Sequence, residues 1–213
     1  MSAYFILVDG EQSGPYTFEE LTEFELEIHT RILSPLANTW QDACDLPDLY
    51  PYFEAQGVYF PTGDNLASFW WRLLAFVIDH VILSFLMSIV ISVMAVKGIK
   101  FHINSINDML KLPAKDMLTL QIIFYSLLIV YNTVCDASPM RGSIGKRILK
   151  LVVVDVDGMR LDFGNALLRA AGKALSMFIF IPVFLAVLFT EYHQALHDML
   201  AKTYVVKRGS NIN

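Results

Sequence analysis

The chain has 213 residues, of which 55% are hydrophobic and 17% charged, and this composition excludes an ordinary soluble domain. Its formal net charge of -5 is unevenly distributed, with -11 over residues 1–68 and +6 over residues 69–213. The division predicts an acidic soluble module followed by a membrane domain with basic loops, and no basic stripe with interleaved aromatic residues indicates a nucleic-acid partner.

The first segment, residues 1–55, has the features of a small α+β domain. Tyr4–Val8 is a β-branched and aromatic run that predicts a strand, and the dipeptide Asp9-Gly10 predicts a tight turn after it. Thr17 is followed by Phe, Glu, Glu and Leu, which is the pattern of a helix N-cap with an acidic first turn. A further strand is predicted between Ile28 and Trp40.

Several short motifs of this segment resemble the GYF-like family of adaptor domains. They are Tyr4-Phe5, Asp9-Gly10, Gly14-Pro15-Tyr16, Glu19-Glu20-Leu21, Thr30-Arg31, Thr39-Trp40 and Leu46-Pro47. The Gly-Tyr-Phe tripeptide itself is missing, so the resemblance is to a divergent branch. It implies that Tyr4, Tyr16 and Trp40 bind a proline-rich peptide. The alternative is that Phe5, Phe18 and Trp40 only fill the core of a very small domain.

The next prediction is a linker over residues 56–68, followed by a membrane span over Phe69–Val96. These 28 residues include only two formally charged side chains, Arg72 and Asp79. About 20 apolar residues cross a bilayer, so the run is long enough to span. Asp79 lies too deep to reach the interface, and such a side chain normally faces a partner or a watery cavity.

A second span is predicted over residues 117–135, which carry no formal charge. Between the two spans, the pattern of apolar residues around Ile106, Met109, Leu110 and Leu112 predicts an amphipathic segment at the membrane surface.

The loop over residues 136–173 holds seven basic side chains, which predicts that it is cytoplasmic. Within it, Lys146 and Arg147 are expected to contact lipid phosphates. The alternating run Ile148–Val154 and the dipeptide Asp157-Gly158 predict a β-hairpin at the membrane surface, with Arg160–Phe163 as its second strand.

A third hydrophobic run, residues 174–190, is short and contains Pro182. It fits either a straight third span or a proline-broken re-entrant hairpin whose backbone is buried in protein. The second alternative keeps the basic C-terminal residues inside the cell. It also lets the strand predicted over residues 203–207 pair with Leu151–Val154.

Spaced motifs across residues 65–207 resemble the RDD family of membrane proteins, which is named for one arginine and two aspartates. The segments are Arg72 to Asp79, Ser143-Ile-Gly-Lys146 with Val152-Val-Val-Asp155, and Ala195-Leu-His-Asp198 with Thr203-Tyr-Val-Val206. The resemblance places the family's residues at Arg72, Asp79 and Asp198, and adds Arg169. It implies a role in transport, with the substrate unassigned.

The charges of these segments need partners inside the membrane domain. Arg72 and Asp79 share a helix face two turns apart, too far to pair with each other. We expect Arg72 to pair with Asp198, and Asp79 to face Arg169 or a water-filled cavity. The pairs can serve as structural links between helices or as part of an ion pathway.

The sequence therefore predicts a multi-pass α-helical membrane protein of the inner membrane, with a cytoplasmic GYF-like domain (1–55), a linker (56–68), an RDD domain (69–207) and a tail (208–213). The predicted function is transport of an ion or small solute, with the pathway formed by Arg72, Asp79, Arg169 and Asp198, and a homo-oligomer is the expected form of a transporter with so few spans. The alternative is a membrane-embedded adaptor whose first domain binds a partner peptide. No enzyme activity, cofactor or metal is predicted. Cys44 and Cys135 lie in different domains, which predicts free thiols in a reducing compartment.

Overall fold

The computed structural model describes residues 3–8, 10–37, 39–99, 101, 111–179, 190 and 192–209. The described chain divides into two compact units. The first, called the N-terminal unit, contains the residues up to Phe60 and the short segment Asp157–Met159. The second, called the membrane unit, contains Pro61–Val156 and Arg160–Arg208.

The N-terminal unit contains an antiparallel sheet whose strands lie in the order β2, β1, β3, β4. The strands are β1 (Tyr4–Val8), β2 (Glu11–Tyr16), β3 (Arg31–Leu33) and β4 (Gln41–Asp42). The predicted first strand is thus confirmed, whereas only three residues of the segment predicted between Ile28 and Trp40 form strand β3.

Two short helices complete this unit, α1 (Phe18–Glu23) and α2 (Tyr50–Ala55). Helix α1 begins with the predicted cap: the backbone N–H of Thr17 donates to the Glu20 carboxylate at 2.8 Å, and the Thr17 hydroxyl accepts from the Glu20 N–H. The core against which sheet and helices pack is apolar, and its fully buried members include Leu21, Ile32 and Phe53.

The membrane unit begins with two long helices, α3 (Phe69–Val96) and α4 (Ala114–Ala137). Both are long and apolar enough to cross a bilayer. Nine large apolar side chains of α3, among them Val81 and Phe85, are exposed in the isolated chain, as lipid-facing residues would be. The predicted interfacial segment around Ile106 lies outside the described residues, apart from Leu112.

The rest of the membrane unit is built from short elements and one longer helix. They are α5 (Ile144–Ile148), β5 (Leu151–Val154), α6 (Phe163–Ile179), α7 (Leu196–Leu200) and β6 (Tyr204–Lys207). Helix α6 contains the first residues of the third hydrophobic run. Residues 180–189 lie outside the described part of the chain, so the choice between a third span and a re-entrant hairpin stays a prediction.

The predicted β-hairpin with Arg160–Phe163 is wrong. Strand β5 pairs instead with β6, antiparallel, with Leu151 opposite Lys207 and Val154 opposite Tyr204. All four residues of β5 are buried, so this strand requires an apolar partner. In contrast, the Asp162 carboxylate accepts from the N–H of Asn165 at 2.6 Å, and this contact starts helix α6 where the second hairpin strand was expected.

Both ends of the segment predicted as a linker are packed within their own units. The Phe60 ring contacts the Phe53 ring in the N-terminal unit, with 5.3 Å between the ring centroids. In the membrane unit, the Ala67 N–H donates to the Val205 carbonyl at 2.9 Å, and the Asn65 carbonyl accepts from Lys207 at 2.8 Å. The chain before α3 thereby runs beside β6, which fixes where α3 begins.

Candidate functional site in the membrane unit

Seven charged side chains meet inside the membrane unit, and we call them the charge cluster. Its members are Arg72, Asp79, Asp136, Lys146, Arg169, Lys173 and Asp198, each at most 8% exposed. They come from α3, α4, α5, α6 and α7, so all five helices of the described membrane unit contribute.

Arg72 and Asp198 form the predicted ion pair. The Nη1 atom of Arg72 lies 2.6 Å from Oδ2 of Asp198, and its Nε donates to the Ala67 carbonyl at 3.0 Å. The N–H of Ala195 also donates to Oδ2 of Asp198. The pair therefore connects the start of α3 to the first turn of α7.

Arg169 is the centre of the charge cluster. Its Nη2 lies 2.5 Å from Oδ1 of Asp198, and its Nη1 lies 2.5 Å from Oδ2 of Asp136. Its Nε also donates to the Thr203 hydroxyl at 3.1 Å. The predicted contact between Arg169 and Asp79 is wrong, because the two other carboxylates already occupy the guanidinium.

The two lysines of the charge cluster have different acceptors. Lys146 lies 3.3 Å from Oδ1 of Asp136, whereas Lys173 donates to the Asn132 side-chain carbonyl at 2.9 Å. The prediction that Lys146 contacts lipid phosphates is wrong, because α5 turns this side chain inward. Its neighbour Arg147 is exposed, and its contact with lipid stays a prediction.

Asp79 is held by neutral donors. Its Oδ1 accepts from the Tyr131 hydroxyl and from the Gly145 N–H, each at 2.8 Å. The Tyr131 oxygen accepts in turn from the Ile144 N–H at 3.0 Å. A Cβ atom at residue 145 would collide with the Ala75 carbonyl and with the Asp79 carboxylate, so glycine is required for this close approach.

Burial and the neighbouring charges shift the pKa values of buried side chains outside the two long helices. Burial lowers the pKa of Lys146 to about 8, assisted by the charge of Arg169. Burial also lowers the pKa of His197 to about 3, although Asp198 opposes this. Burial would raise the pKa of Asp198, but Arg169 and the other nearby charges hold it well below its usual value. His197 is therefore neutral and Asp198 ionised at neutral pH.

A cavity of about 30 Å³ lies against the charge cluster. Its walls are formed by Arg72, Ala75, Phe76, Asp79, Lys146, Arg169, Lys173, Ala195, His197 and Val205. A cavity of this size and polarity can hold about one water molecule or an ion of similar size. The four residues predicted for the ion pathway are thus brought to one place, with Asp198 directly behind the wall.

The sequence interpretation missed three participants from α4 and α5, namely Asp136, Tyr131 and Gly145. Asp136 follows directly after the uncharged run that ends at Cys135, so the sequence pattern assigns it to the loop rather than to the span. Its position four residues after Asn132 was the available signal, since the two lie on one helix face and both are buried. Nothing in the sequence marks Gly145 as a backbone donor.

In the N-terminal unit, the aromatic residues predicted to bind a peptide occupy different environments. Tyr4 is only 8% exposed and belongs to the apolar core, so its prediction as a binding residue is wrong. Tyr16 is half-buried, and 4.9 Å separate the centroid of its ring from that of the Phe24 ring. These two rings line a groove of about 340 Å³ together with Glu20 and Glu23. Trp40 is half-buried and does not line this groove.

The same unit holds a group of metal-ligand side chains, His29, Asp42 and Cys44, whose donor atoms lie within 4.8 Å of one another. Arg31 already occupies one oxygen of Asp42 at 3.1 Å, and the His29 side chain is mostly exposed. An ion pair at the surface accounts for these contacts.

The family model described as the RDD family matches residues 66–202, which include every member of the charge cluster. The chain belongs to the RDD family. The model described as GYF domain 2 matches residues 4–49, in the N-terminal unit. The protein is therefore an RDD membrane protein with a GYF domain at its N-terminus, and neither family is one of enzymes. We refer below to the membrane unit as the RDD domain.

Two relatives match parts of this chain. The chain is 32% identical over 146 residues to the uncharacterized protein YxaI of Bacillus subtilis, a match that covers 66% of this chain and 96% of YxaI. It is 27% identical over 162 residues to the human protein FAM8A1, a match that covers 65% of this chain and 39% of FAM8A1. No solved structure matches the chain.

Proposed function

We propose that the RDD domain moves a small ion across the membrane, with Asp79 as the group that exchanges it. The observation that carries the proposal is the position of Asp79, near the middle of the buried face of α3 and at the wall of a cavity whose lining includes charged side chains. Burying a carboxylate at membrane depth costs on the order of 3 kcal/mol, and its neutral partners Tyr131 and Gly145 offset only part of that cost.

The arrangement of the other charges supports the proposal. Asp136 and Asp198 are each bound by two cationic side chains, as links between helices would be. Asp79 has no cationic partner within 4 Å among the described residues. A proton or ion at Asp79 can therefore be exchanged without breaking the pairs that hold the helices together.

The proposed topology is a multi-pass protein of the cell membrane with its GYF domain in the cytoplasm. Residues 69–213 carry fifteen basic side chains, and Arg147, Lys150 and Arg160 are exposed in the loop between α4 and α6. Exposed basic residues favour the cytoplasmic side. Two spans place the N-terminal unit on the same side as this loop.

The test is flux of protons and of small inorganic ions into liposomes that contain the purified full chain. We expect flux with the natural sequence and its loss in Asp79→Asn, while Asp162→Asn, an exposed aspartate of the same domain, keeps it. Protection of the buried Cys135 thiol from maleimide verifies that each variant is folded. Absence of flux in the natural chain would contradict the proposal.

A second candidate function, peptide binding by the GYF domain, is favoured by the groove that Tyr16 and Phe24 line. Proline-rich peptides bind to grooves lined by aromatic side chains. The two glutamates at this groove, Glu20 and Glu23, favour a peptide that also carries an arginine or lysine. In this function the RDD domain anchors an adaptor in the membrane.

This candidate predicts that a proline-rich peptide with a basic residue binds the full chain more tightly than the same peptide with glutamate in its place. Phe24→Ala removes one wall of the groove and is expected to abolish binding. Leu36→Ala is the matched control, because Leu36 is 96% exposed and does not line the groove. Equal binding by Phe24→Ala and the natural chain would contradict a role for this groove.

A further inference from the structure

The charge cluster contains more positive than negative charge. Arg72, Lys146, Arg169 and Lys173 are opposed by three carboxylates, Asp79, Asp136 and Asp198, which leaves one excess positive charge among the buried side chains that the structure describes. His197 adds none, because burial lowers its pKa to about 3. An uncompensated charge is costly in a buried site, so a counter-charge inside the cluster would stabilise it.

The excess positive charge is located at the cavity. Arg72 uses Nε and Nη1 for Ala67 and Asp198, while its buried Nη2 has no hydrogen-bond partner in the described part of the chain. The side chain is 7% exposed and lines the cavity. Lys173 also lines the cavity, and its ammonium group donates to the neutral Asn132 rather than to a carboxylate.

No described carboxylate accepts a hydrogen bond from Nη2 of Arg72 or from the ammonium group of Lys173. Asp136 and Asp198 are each held by two cationic side chains, and Oδ1 of Asp79 already accepts two hydrogen bonds. A buried guanidinium N–H without an acceptor is destabilising, because it loses the hydrogen bond that it would make in water. An acceptor that carries negative charge would satisfy both the free Nη2 and the excess charge.

We propose that the cavity binds one small monovalent inorganic anion, of which chloride is the representative, through Nη2 of Arg72 and the ammonium group of Lys173. The volume of about 30 Å³ is sufficient for a single monoatomic ion. The proposal goes beyond ion transport, because the anion can be bound whether or not it moves across the membrane.

Asp79 lowers the affinity of this site for the anion, although it does not contact the anion itself. Its carboxylate lines the same cavity and repels a negative ion. Neutralising that carboxylate removes the repulsion, so the Asp79→Asn variant should bind the anion more tightly than the natural chain. The effect has the opposite sign to the loss of flux expected for the same substitution.

The first experiment follows thermal unfolding of the full chain in detergent, with exposure of Cys135 as the readout, in sodium chloride or sodium gluconate at equal ionic strength. We expect a rise in the unfolding temperature that saturates with chloride and is reproduced by bromide, but not by gluconate, which is too large for the cavity. Equal unfolding temperatures in both salts at all concentrations would show that the cavity holds only water and would overturn the proposal.

The second experiment uses variants of the cavity wall. Lys173→Met removes the excess charge and Ala75→Val fills the cavity without changing any charge, so both should abolish the chloride effect. Lys150→Met, at an exposed lysine, is the matched control and should retain it. A full chloride effect in either wall variant would place the anion elsewhere and would also overturn the proposal.

Chloride binding is also measured without any variant, from the broadening of the ³⁵Cl nuclear magnetic resonance line by the natural chain and its reversal by bromide. This readout keeps the test valid if a wall variant does not fold, and line broadening that bromide does not reverse would contradict a specific site. Because no step depends on flux, binding without transport would overturn the proposed function alone.

Discussion

The two units of this protein differ in the charged side chains that they bury. The N-terminal unit encloses Leu21, Ile32, Leu49 and Phe53, and its charged residues lie outside. The RDD domain encloses seven charged side chains, whereas large apolar residues of α3 such as Phe85 lie outside.

The difference follows from the solvent that each unit faces. In water, burial of apolar surface drives folding, so the interior of the N-terminal unit is apolar. In a bilayer, apolar side chains gain little by leaving lipid, and polar contacts between helices determine how the helices associate. The RDD domain has buried apolar clusters of its own, and its charge cluster connects the helices in addition to them.

The largest expected effect comes from Asp198, whose carboxylate is shared by two arginines. Asp198→Asn leaves Arg72 and Arg169 without their common counter-charge, and we expect a loss of about 3–5 kcal/mol in the stability of the RDD domain. The measurement is unfolding monitored by exposure of Cys135. Asp42→Asn, at a partly exposed ion pair of the N-terminal unit, should cost about 1 kcal/mol or less, as monitored by exposure of Cys44. Similar losses in both units would contradict the comparison.

The complementary change is made at an aromatic residue in each unit. Phe53→Ala creates a cavity in the apolar core and should destabilise the N-terminal unit by about 3–4 kcal/mol, as monitored by exposure of Cys44. Phe85→Ala on α3 removes a side chain that is 67% exposed in the isolated chain and should leave Cys135 protection unchanged. A large loss for Phe85→Ala would show that this face of α3 packs against protein.

The next effect concerns the backbone contact between α3 and α5. Gly145→Ala places a Cβ atom against the Ala75 carbonyl and the Asp79 carboxylate, and because a backbone atom must move we expect a loss of about 3 kcal/mol. Gly164→Ala is the control, since the atom nearest to its Cβ would be at an ordinary contact distance of 3.4 Å. If Gly145→Ala is as stable as Gly164→Ala, Asp79 is not fixed by α5.

The smallest predicted effect is a dependence on pH that arises from His197. Its pKa is about 3 in the folded chain and about 6.5 in the unfolded chain, so only the unfolded chain takes up a proton between these values. The contribution of neutral His197 to the free energy of unfolding is fully present above pH 6.5. It decreases as the pH falls, by about 2 kcal/mol at pH 5.

The test compares the RDD domain at pH 7.5 and pH 5 through exposure of Cys135. His197→Gln should lack this contribution, and His29→Gln in the N-terminal unit should retain it. An unchanged pH dependence in His197→Gln would mean that another group titrates in this range. Asp198 does not contribute in this window, because its loss begins only below its unfolded pKa of about 4.

The sequence by itself determined the features that depend on local pattern. The run of apolar residues predicted both long helices, the Thr17 motif predicted the cap of α1, and the distance between Arg72 and Asp79 showed that each needs a partner from another segment. The pairing of Arg72 with Asp198 followed from the small number of available charges near the membrane.

Only the tertiary structure decided how the remaining charges are shared. Arg169 binds Asp136 and Asp198 rather than Asp79, because α6 brings its guanidinium between α4 and α7. Lys146 is buried because α5 is folded against α3, where Gly145 allows the two backbones to meet. The three ion pairs among these contacts join residues separated by ten to 33 positions. Local pattern therefore identifies which charges must be satisfied, whereas the packing of five helices selects their partners.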